Sequence, residues 1–217
     1  MDHIGQIKQA TIAGNMPQVL ELTDLALNAG VDPEEVIQQG FIPAMEVVGD
    51  KFAAGKIYVP EMLLAARAMK AALDKVKPLL VGKEIKTLGK AVIGTVQGDM
   101  HDIGKNLVAM MLEGSGFEVI DLGVDALPDE FIDAVRDHQP DLIGLSALLT
   151  TTMNSMEETI QKLVAAGLRV GVKVLVGGAP VSRQFADEIG ADGYAANAGE
   201  AVKLAKKLLG SNLSMDG

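Results

Sequence analysis

The sequence predicts an α/β protein in two parts, a helical bundle followed by a five-stranded parallel sheet. Apolar residues recur at helical spacing over about the first 80 residues. A polar connector bounded by glycines, GKEIKTLG (82–89), comes next. After it, short runs of Val, Ile and Leu alternate with helical stretches, a pattern typical of a parallel sheet covered by helices. We therefore expect two domains, residues 1–86 and 87–217.

Proline, glycine and acidic residues mark the helices of the first part. A helix is expected from Pro17 to Gly30, and a second one starts at Asp32. Gly40 and Pro43 should kink or break that second helix. Two further helices carry apolar residues at spacings of three and four, namely Met45, Val48 and Phe52 in one and Met62, Ala66, Met69 and Leu73 in the other. Four short amphipathic helices favour a four-helix bundle.

Five short apolar runs predict the strands: AVIGTV (91–96), FEVIDLG (117–123), DLIGLSAL (141–148), KVLVGG (173–178) and the weaker GYAA (193–196). A sheet of five such strands is expected to have the flavodoxin-like, Rossmann-like order 2-1-3-4-5. Ligands of these folds bind beyond the carboxyl ends of the strands, where the strand order reverses. The loops after strands 1, 3 and 4 are therefore the candidate site.

Composition excludes several classes of function. The chain has 29 acidic and 19 basic residues, a net charge of −10, which disfavours nucleic-acid binding. No apolar run reaches the roughly 18 residues of a membrane span, so no membrane interaction is expected. The absence of cysteine excludes disulfides, thiolate metal sites and a cysteine nucleophile. The first residues, MDHIGQIKQA, lack the pattern of a secretion signal, and we expect a cytoplasmic protein.

The loop after strand 1 reads GDMHDIGKN (98–106) and does not match the known phosphate-binding loops. Five residues separate Gly98 from Gly104, whereas the Walker motif has four. Asn106 stands where that motif needs a hydroxyl for magnesium, and the dinucleotide pattern of three glycines is absent. Nucleotide binding at this loop is therefore disfavoured.

The same loop carries His101 with Asp99 two residues before it. An exposed histidine and aspartate without function is the plain alternative. Zinc fits poorly, because such a site needs three or four ligands and the chain has three histidines and no cysteine. One histidine with a carboxylate partner suits a metal whose other ligands come from a macrocycle, with the carboxylate accepting the imidazole N–H.

Three motifs together resemble a known family. Asp99-x-His101-x-x-Gly104, Ser146-x-Leu148 and the pair Gly177-Gly178 resemble the cobalamin-binding signature of B12-dependent methyltransferases. The likeness covers the cobalamin region of methionine synthase and the small corrinoid proteins of three-component methyltransferase systems. It extends from about residue 10 to residue 210, nearly the whole chain.

The resemblance implies a cofactor, cobalamin in its methylcobalamin form or a related corrinoid, with His101 as the lower axial ligand of cobalt. Asp99 would hold the far nitrogen of His101, and Thr152 would complete a relay that in the family usually ends in Ser. The remaining cofactor contacts that the family implies are Gly98, Met100, Asp102 and Gly104 in the first loop, Ser146, Leu148 and Thr150 in the second, Gly177 and Gly178 in the third, and Ala198 near the base. The two glycines would let the backbone approach the cofactor's tail.

The helical part resembles the cap that covers the methyl face of cobalamin in this family. The matching segment is VGDKFAAGKIYVPE (48–61). Phe52 would shield the methyl group, and Val59 stands where the family has a larger Leu. The plain alternative for Phe52 is a residue of the bundle core.

The resemblance implies a methyl carrier rather than a complete enzyme. One partner would be a substrate-specific methyltransferase, and another would pass the methyl group to tetrahydrofolate or coenzyme M, with a reductive activase repairing the cofactor. A B12-dependent sensor or regulator is the alternative function. A mutase subunit that uses adenosylcobalamin, and an α/β module that binds no cofactor, are further alternatives. The sequence does not identify the methyl donor among methanol, methylamines, betaines and aryl methyl ethers.

Overall fold

A computed structural model describes residues 2–80 and 87–210. They belong to two compact units, Met1–Thr87 with Glu113–Gly116 and Leu88–Leu112 with Phe117–Gly217. Most of the predicted connector, residues 82–86, and the tail 211–217 lie outside the described residues. The domain boundary after residue 86 therefore stays a proposal.

The first unit is helical throughout the residues described. Its helices are α1 (His3–Ile12), α2 (Met16–Asn28), α3 (Pro33–Glu35), α4 (Ile42–Ala53) and α5 (Val59–Val76), with a π-helix over Val36–Phe41 and a 3₁₀ turn over Lys77–Leu80. The side chain of Asn15 caps α2 by accepting the N–H of Gln18, and that of Asp32 caps α3 by accepting the N–H of Glu34. Apolar side chains, Phe41, Met45 and Met62 among the largest, form the buried core of this unit.

Gly40 and Pro43 do not break the second predicted helix, although the helical geometry changes next to them. The backbone stays helical from Pro33 to Ala53, and Val36–Phe41 take the wider π turn. Proline lacks an N–H, and Pro43 lies in the first turn of α4, where a missing N–H costs least. The N–H of Ile42 reaches back five residues to the carbonyl of Ile37. The π turn thus carries the helical run past the proline.

The second unit is a five-stranded parallel sheet in the order β2-β1-β3-β4-β5, as predicted. Its strands are β1 (Lys90–Thr95), β2 (Glu118–Asp121), β3 (Leu142–Ser146), β4 (Lys173–Gly177) and β5 (Gly193–Ala195). Its helices are α6 (Ile103–Gly114), α7 (Pro128–His138), α8 (Asn154–Ala165), α9 (Arg183–Glu188) and α10 (Ala198–Leu208). The buried core includes Phe131, Ile143, Met156 and Leu163.

The register of the sheet brings three strand ends to one level. Thr95 at the end of β1 pairs with Ser146 at the end of β3, and Ser146 pairs with Gly177 at the end of β4. The loops after these strands consequently leave the sheet side by side. In the described part of the chain, no helix combines the length and hydropathy that crossing a membrane requires.

Candidate functional site

A tight turn follows β1 and aims Asp99 into the protein. The N–H of Asp99 donates to the carbonyl of Val96 at 3.1 Å, which closes a four-residue turn. Gly98 occupies the third position of that turn with φ of +85°, a conformation that favours glycine. The chain then exposes Met100 and His101, while the side chain of Asp99 is completely buried.

The carboxylate of Asp99 joins the loops after β1 and β3. Its Oδ1 lies 2.7 Å from Nδ1 of His101 and also accepts the N–H of His101 at 3.1 Å. Its Oδ2 accepts the N–H of Leu148 at 2.7 Å, the N–H of Leu149 at 3.1 Å and the hydroxyl of Thr152 at 2.8 Å. One buried carboxylate therefore fixes the histidine and the neighbouring loop together.

These contacts keep Asp99 ionised. Burial acts to raise the pKa of Asp99, because it penalises the charged form. The hydrogen bonds from Leu148, His101 and Thr152 outweigh burial and hold the pKa well below its ordinary value of 3.8. The negative charge persists at neutral pH and favours a proton on the facing nitrogen of His101.

His101 has one nitrogen fixed and one free to bind. Nδ1 contacts Asp99, and the imidazole ring is 51% exposed. The backbone carbonyl of His101 accepts the hydroxyl of the buried Thr95 at 2.9 Å, which anchors the residue to β1. With the proton on Nδ1, the nitrogen Nε2 has a free lone pair that can bind a metal ion. The geometry is that of a metal-ligating histidine with a carboxylate behind it.

The buried hydroxyl of Thr152 has two acceptors within reach. It lies 2.8 Å from Oδ2 of Asp99 and 2.9 Å from the carbonyl of Leu149, and it carries one hydrogen for both. The methyl group of Thr152 faces Gly98, where a Cβ would lie 3.4 Å from it. The methyl group that distinguishes Thr from Ser is thus accommodated beside Gly98.

The pair Gly177 and Gly178 is required by the sheet itself. A Cβ at Gly178 would lie 1.8 Å from the carbonyl oxygen of Ala147, and its φ of +129° is a glycine conformation. A Cβ at Gly177 would lie 2.9 Å from the carbonyl oxygen of Ala195. Close approach of neighbouring backbone therefore requires both glycines, in keeping with the plain alternative of a turn at the strand end and independently of any contact with the cofactor's tail.

The other predicted contacts occupy strand and helix ends. Ser146 is the last residue of β3, and the exposed Thr150 begins a 3₁₀ turn, Thr150–Thr152. Ala198 is buried as the first residue of α10. Phe52 and Val59 belong to the helical unit, in α4 and at the start of α5, and both are half-buried. Phe52 is thus not part of the fully buried core.

The loop after β2 contributes residues that no pattern in the sequence indicates. Asp125 accepts the N–H of Gly98 at 2.7 Å and donates its own N–H to the carbonyl of Asp99 at 3.0 Å. Lys105, 4% exposed, binds the carboxylate of Asp121 at 2.6 Å. In the sequence, Asp121, Asp125 and Lys105 form no recognisable motif, and the strand-order switch points to the loops after the other strands.

The donor chemistry fits a corrinoid. Among the described residues, no group of three or more His, Asp or Glu side chains is placed to hold a metal by itself. A cobalt ion held in a macrocycle needs one protein nitrogen, and Nε2 of His101 is such a donor. Large apolar side chains are exposed on the two loops that Asp99 joins, namely Met100, Ile103, Leu148 and Leu149. They suit contact with a large, partly apolar ring.

Known proteins resemble the chain over nearly its whole length. Two B12 binding domain models match it, one over residues 89–203 and the other over residues 4–77. It is 43% identical to a corrinoid protein of Desulfitobacterium hafniense, over 97% of this chain and 99% of that protein. It is 44% identical to trimethylamine corrinoid protein 2 of Methanosarcina acetivorans, over 88% of this chain and 89% of that protein.

A solved structure agrees with these relatives. The methanol:cobalamin methyltransferase complex from Methanosarcina barkeri contains a chain that aligns with a TM-score of 0.87 and 31% identity. The alignment covers 97% of this chain and 81% of that one. The motif around His101, the fold and the relatives agree. The chain belongs to the family of B12-binding corrinoid proteins of methyltransferase systems.

Proposed function

We propose that this chain carries a methyl group on the cobalt of a bound corrinoid, between a methyltransferase that loads it and another that unloads it. The observation that supports this proposal most strongly is the contact of His101 with Asp99 in the loop after β1, where Nδ1 of His101 lies 2.7 Å from Oδ1 of Asp99. This pair would supply one histidine nitrogen to the cobalt, while Asp99 favours a proton on the other ring nitrogen.

We propose that Nε2 of His101 would be the nitrogen through which the protein binds the cobalt. Asp99 holds the ring by Nδ1 and holds the backbone N–H of His101, so the direction of the imidazole is set before cofactor binding and the tautomer with the proton on Nδ1 is favoured. Gly98, Met100, Asp102 and Gly104 of the same loop contact the cofactor in this proposal. Bound cobalt supplies a strongly nucleophilic reduced state that accepts a methyl group and a higher oxidation state that carries it.

Thr152 completes the support of His101. Its hydroxyl hydrogen points either to Asp99 or to the carbonyl of Leu149, which lie at nearly equal distances. Rotation of this hydroxyl changes how strongly Asp99 attracts the proton on Nδ1 of His101. In this proposal Thr152 thereby supports the contact of Asp99 with His101.

The second and third loops receive the cofactor's tail in this proposal. Ser146, Leu148 and Thr150 line it on one side, and Gly177 and Gly178 on the other. Their strands end at one level, which supports a shared contact surface. Ala198 at the start of α10 lies near the base of the tail.

Phe52 and Val59 shield the reactive face in this proposal. The family resemblance of residues 48–61 supports the assignment, as does the partial exposure of both side chains within the helical unit. A side chain that shields a methyl group must move aside during each transfer, since the same group has to be reached by the partner.

The loading partner in this proposal acts on a methylated amine. Relatives named for trimethylamine and dimethylamine share 44% identity with the chain. The unloading partner uses tetrahydrofolate or coenzyme M, and a reductive activase restores oxidised cofactor. We place this carrier in the cytoplasm, in keeping with a composition free of cysteine.

A transfer assay tests the proposal. The corrinoid-loaded, methylated protein is mixed with tetrahydrofolate or coenzyme M, with and without each candidate methyltransferase. We expect slow transfer alone and acceleration by orders of magnitude with one methyltransferase, because that enzyme orients the acceptor. Equal rates with and without every methyltransferase, at the speed of the complete system, would contradict the carrier role. Amine and methanol methyltransferases compared as loading partners test the donor class.

A further inference from the structure

We propose that Asp125 is a positioning residue for His101, acting through the turn that carries Asp99. The inference rests on the proposed function, because it explains how the axial ligand is held. Asp125 follows β2 and lies 26 residues after Asp99 in the chain. It nevertheless bonds both the residue before Asp99 and Asp99 itself.

Asp125 holds the turn from two sides. Its Oδ1 accepts the N–H of Gly98 at 2.7 Å, and its own N–H donates to the carbonyl of Asp99 at 3.0 Å. Together with the closing bond to Val96, these two bonds engage both N–H groups of the Gly98–Asp99 segment and the carbonyl of Asp99. Any rotation of this segment would redirect the carboxylate of Asp99 and with it the imidazole of His101.

The loop that carries Asp125 is anchored along its length. At its start, Asp121 binds the buried Lys105 and accepts the N–H of Gly123 at 2.9 Å. At its end, the N–H of Ala126 donates to the carbonyl of Thr95 at 2.9 Å. The loop is therefore fixed to β1 and α6, and Asp125 transmits this rigidity to the turn.

The backbone of Asp125 supports a specific role for this residue. Its φ is +54°, a left-handed conformation that aspartate, asparagine and glycine adopt more readily than other residues. Glycine would relieve the backbone and remove the acceptor, whereas asparagine keeps an oxygen able to accept the N–H of Gly98. The pair Asp125→Gly and Asp125→Asn thus separates the side-chain bond from the backbone conformation.

The first test uses the protein without cofactor. Nitrogen-15 NMR of the His101 ring measures the fraction with Nδ1 protonated and hydrogen-bonded to Asp99. The measured ratio compares His101 rings that are hydrogen-bonded to Asp99 through Nδ1 with rings that are not. We expect Asp125→Gly to lower this ratio about three- to tenfold, which is the effect of one net hydrogen bond. Asp125→Asn should keep the ratio of the wild type. Asp133→Asn, an exposed carboxylate paired with Arg136 on the next helix, is the matched control.

The second test uses protein loaded with cobalt(II) corrinoid. Electron paramagnetic resonance reports the fraction of cobalt bound by a protein nitrogen, and Asp125→Gly should lower this fraction while Asp125→Asn retains it. Melting of each variant without cofactor shows that the fold persists. If the NMR ratio of bonded to unbonded His101 ring is unchanged in Asp125→Gly, the proposal is overturned. A change seen only in the cobalt coordination of the loaded protein would also overturn it, because that result would indicate direct contact of Asp125 with the cofactor.

Two other outcomes also bear on the proposal, one from the asparagine variant and one from the wild-type protein. If Asp125→Asn behaves as Asp125→Gly does, the charge rather than the hydrogen bond is responsible and the proposal is wrong. If electron paramagnetic resonance of the loaded wild-type protein shows no coupling of cobalt to a nitrogen of His101, the assignment of His101 as the cobalt ligand is wrong. The NMR comparison on the protein without cofactor still tests Asp125 in that case, so the two failures are distinguishable.

Discussion

The hydroxyl of Thr152 and the carboxylate of Asp99 lie 2.8 Å apart, both buried, although 53 residues separate them in the chain. This bond, with the amides of Leu148 and Leu149, ties the loop after β3 to the ligand loop after β1. The carboxylate serves two elements, so changes at Thr152 should affect both stability and His101.

Thr152→Val tests this bond at nearly constant volume. Removing the hydroxyl leaves a buried carboxylate oxygen with one donor fewer, at a cost of about 1–3 kcal/mol in unfolding free energy. Thr152→Ser keeps the donor and serves as the matched control. Urea denaturation of both variants without cofactor makes the measurement. Valine and serine variants of equal stability would show that the bond contributes little.

Asp99→Asn should change how stability depends on pH. The folded state holds the pKa of Asp99 below its ordinary value of 3.8. Below pH 3.8, therefore, Asp99 takes up a proton in the unfolded chain while it stays ionised in the folded chain. The contribution of Asp99 to the free energy of unfolding is present above pH 3.8 and is lost as the pH falls below it. The stability gap between wild type and Asp99→Asn should narrow below that pH in unfolding measurements from pH 7 to 3. A constant gap contradicts the ionised, hydrogen-bonded carboxylate.

Two glycines should respond oppositely to alanine. A Cβ at Gly104 meets nothing within 4 Å, whereas one at Gly178 would lie 1.8 Å from the carbonyl oxygen of Ala147. In the absence of cofactor, Gly104→Ala should be neutral or stabilising by about 0.5–1 kcal/mol, because it lies within a helix. Gly178→Ala should fold poorly. Gly104→Ala should also weaken corrinoid binding, measured by titration, and unchanged affinity would remove Gly104 from the proposed contacts.

Phe52→Ala should expose the reactive face of the loaded protein. We expect faster photolysis of the bound methyl form, with Phe52→Leu as a control that keeps most of the apolar volume. Loss of a packed Phe costs up to about 3–5 kcal/mol, so melting of the cofactor-free variants must accompany the rates. A folded Phe52→Ala protein with unchanged photolysis would assign Phe52 to packing alone.

The sheet was predictable chiefly because its central strands β1, β3 and β4 are buried. Parallel strands covered on both sides read as continuous apolar runs, as in β1, where Ala91 to Thr95 are buried. The strand order followed from the alternation of strands and helices. The π turn at Val36–Phe41 was not predictable, because Pro43 signals an interruption locally, whereas in the folded chain the bond from the N–H of Ile42 to the carbonyl of Ile37 continues the helical run.

The ligand pair was predictable and its support was not. His101 and Asp99 stand two residues apart in a motif, so their meeting requires only a turn. The amides of Leu148 and Leu149 reach Asp99 by backbone, and a backbone donor leaves no mark in the side-chain sequence. Asp125 depends on a left-handed conformation and on the pairing of Val96 with Ala126, which are properties of the folded chain.

Electron paramagnetic resonance of the protein loaded with cobalt(II) corrinoid tests the central claim most directly. The account predicts hyperfine coupling to one nitrogen, which ring-selective labelling of histidine with nitrogen-15 assigns to the protein. His101→Ala should abolish this coupling, whereas His138→Ala, at the end of α7, should retain it. A His101→Ala protein that shows the same labelled-histidine coupling would contradict the assignment of His101 as the cobalt ligand.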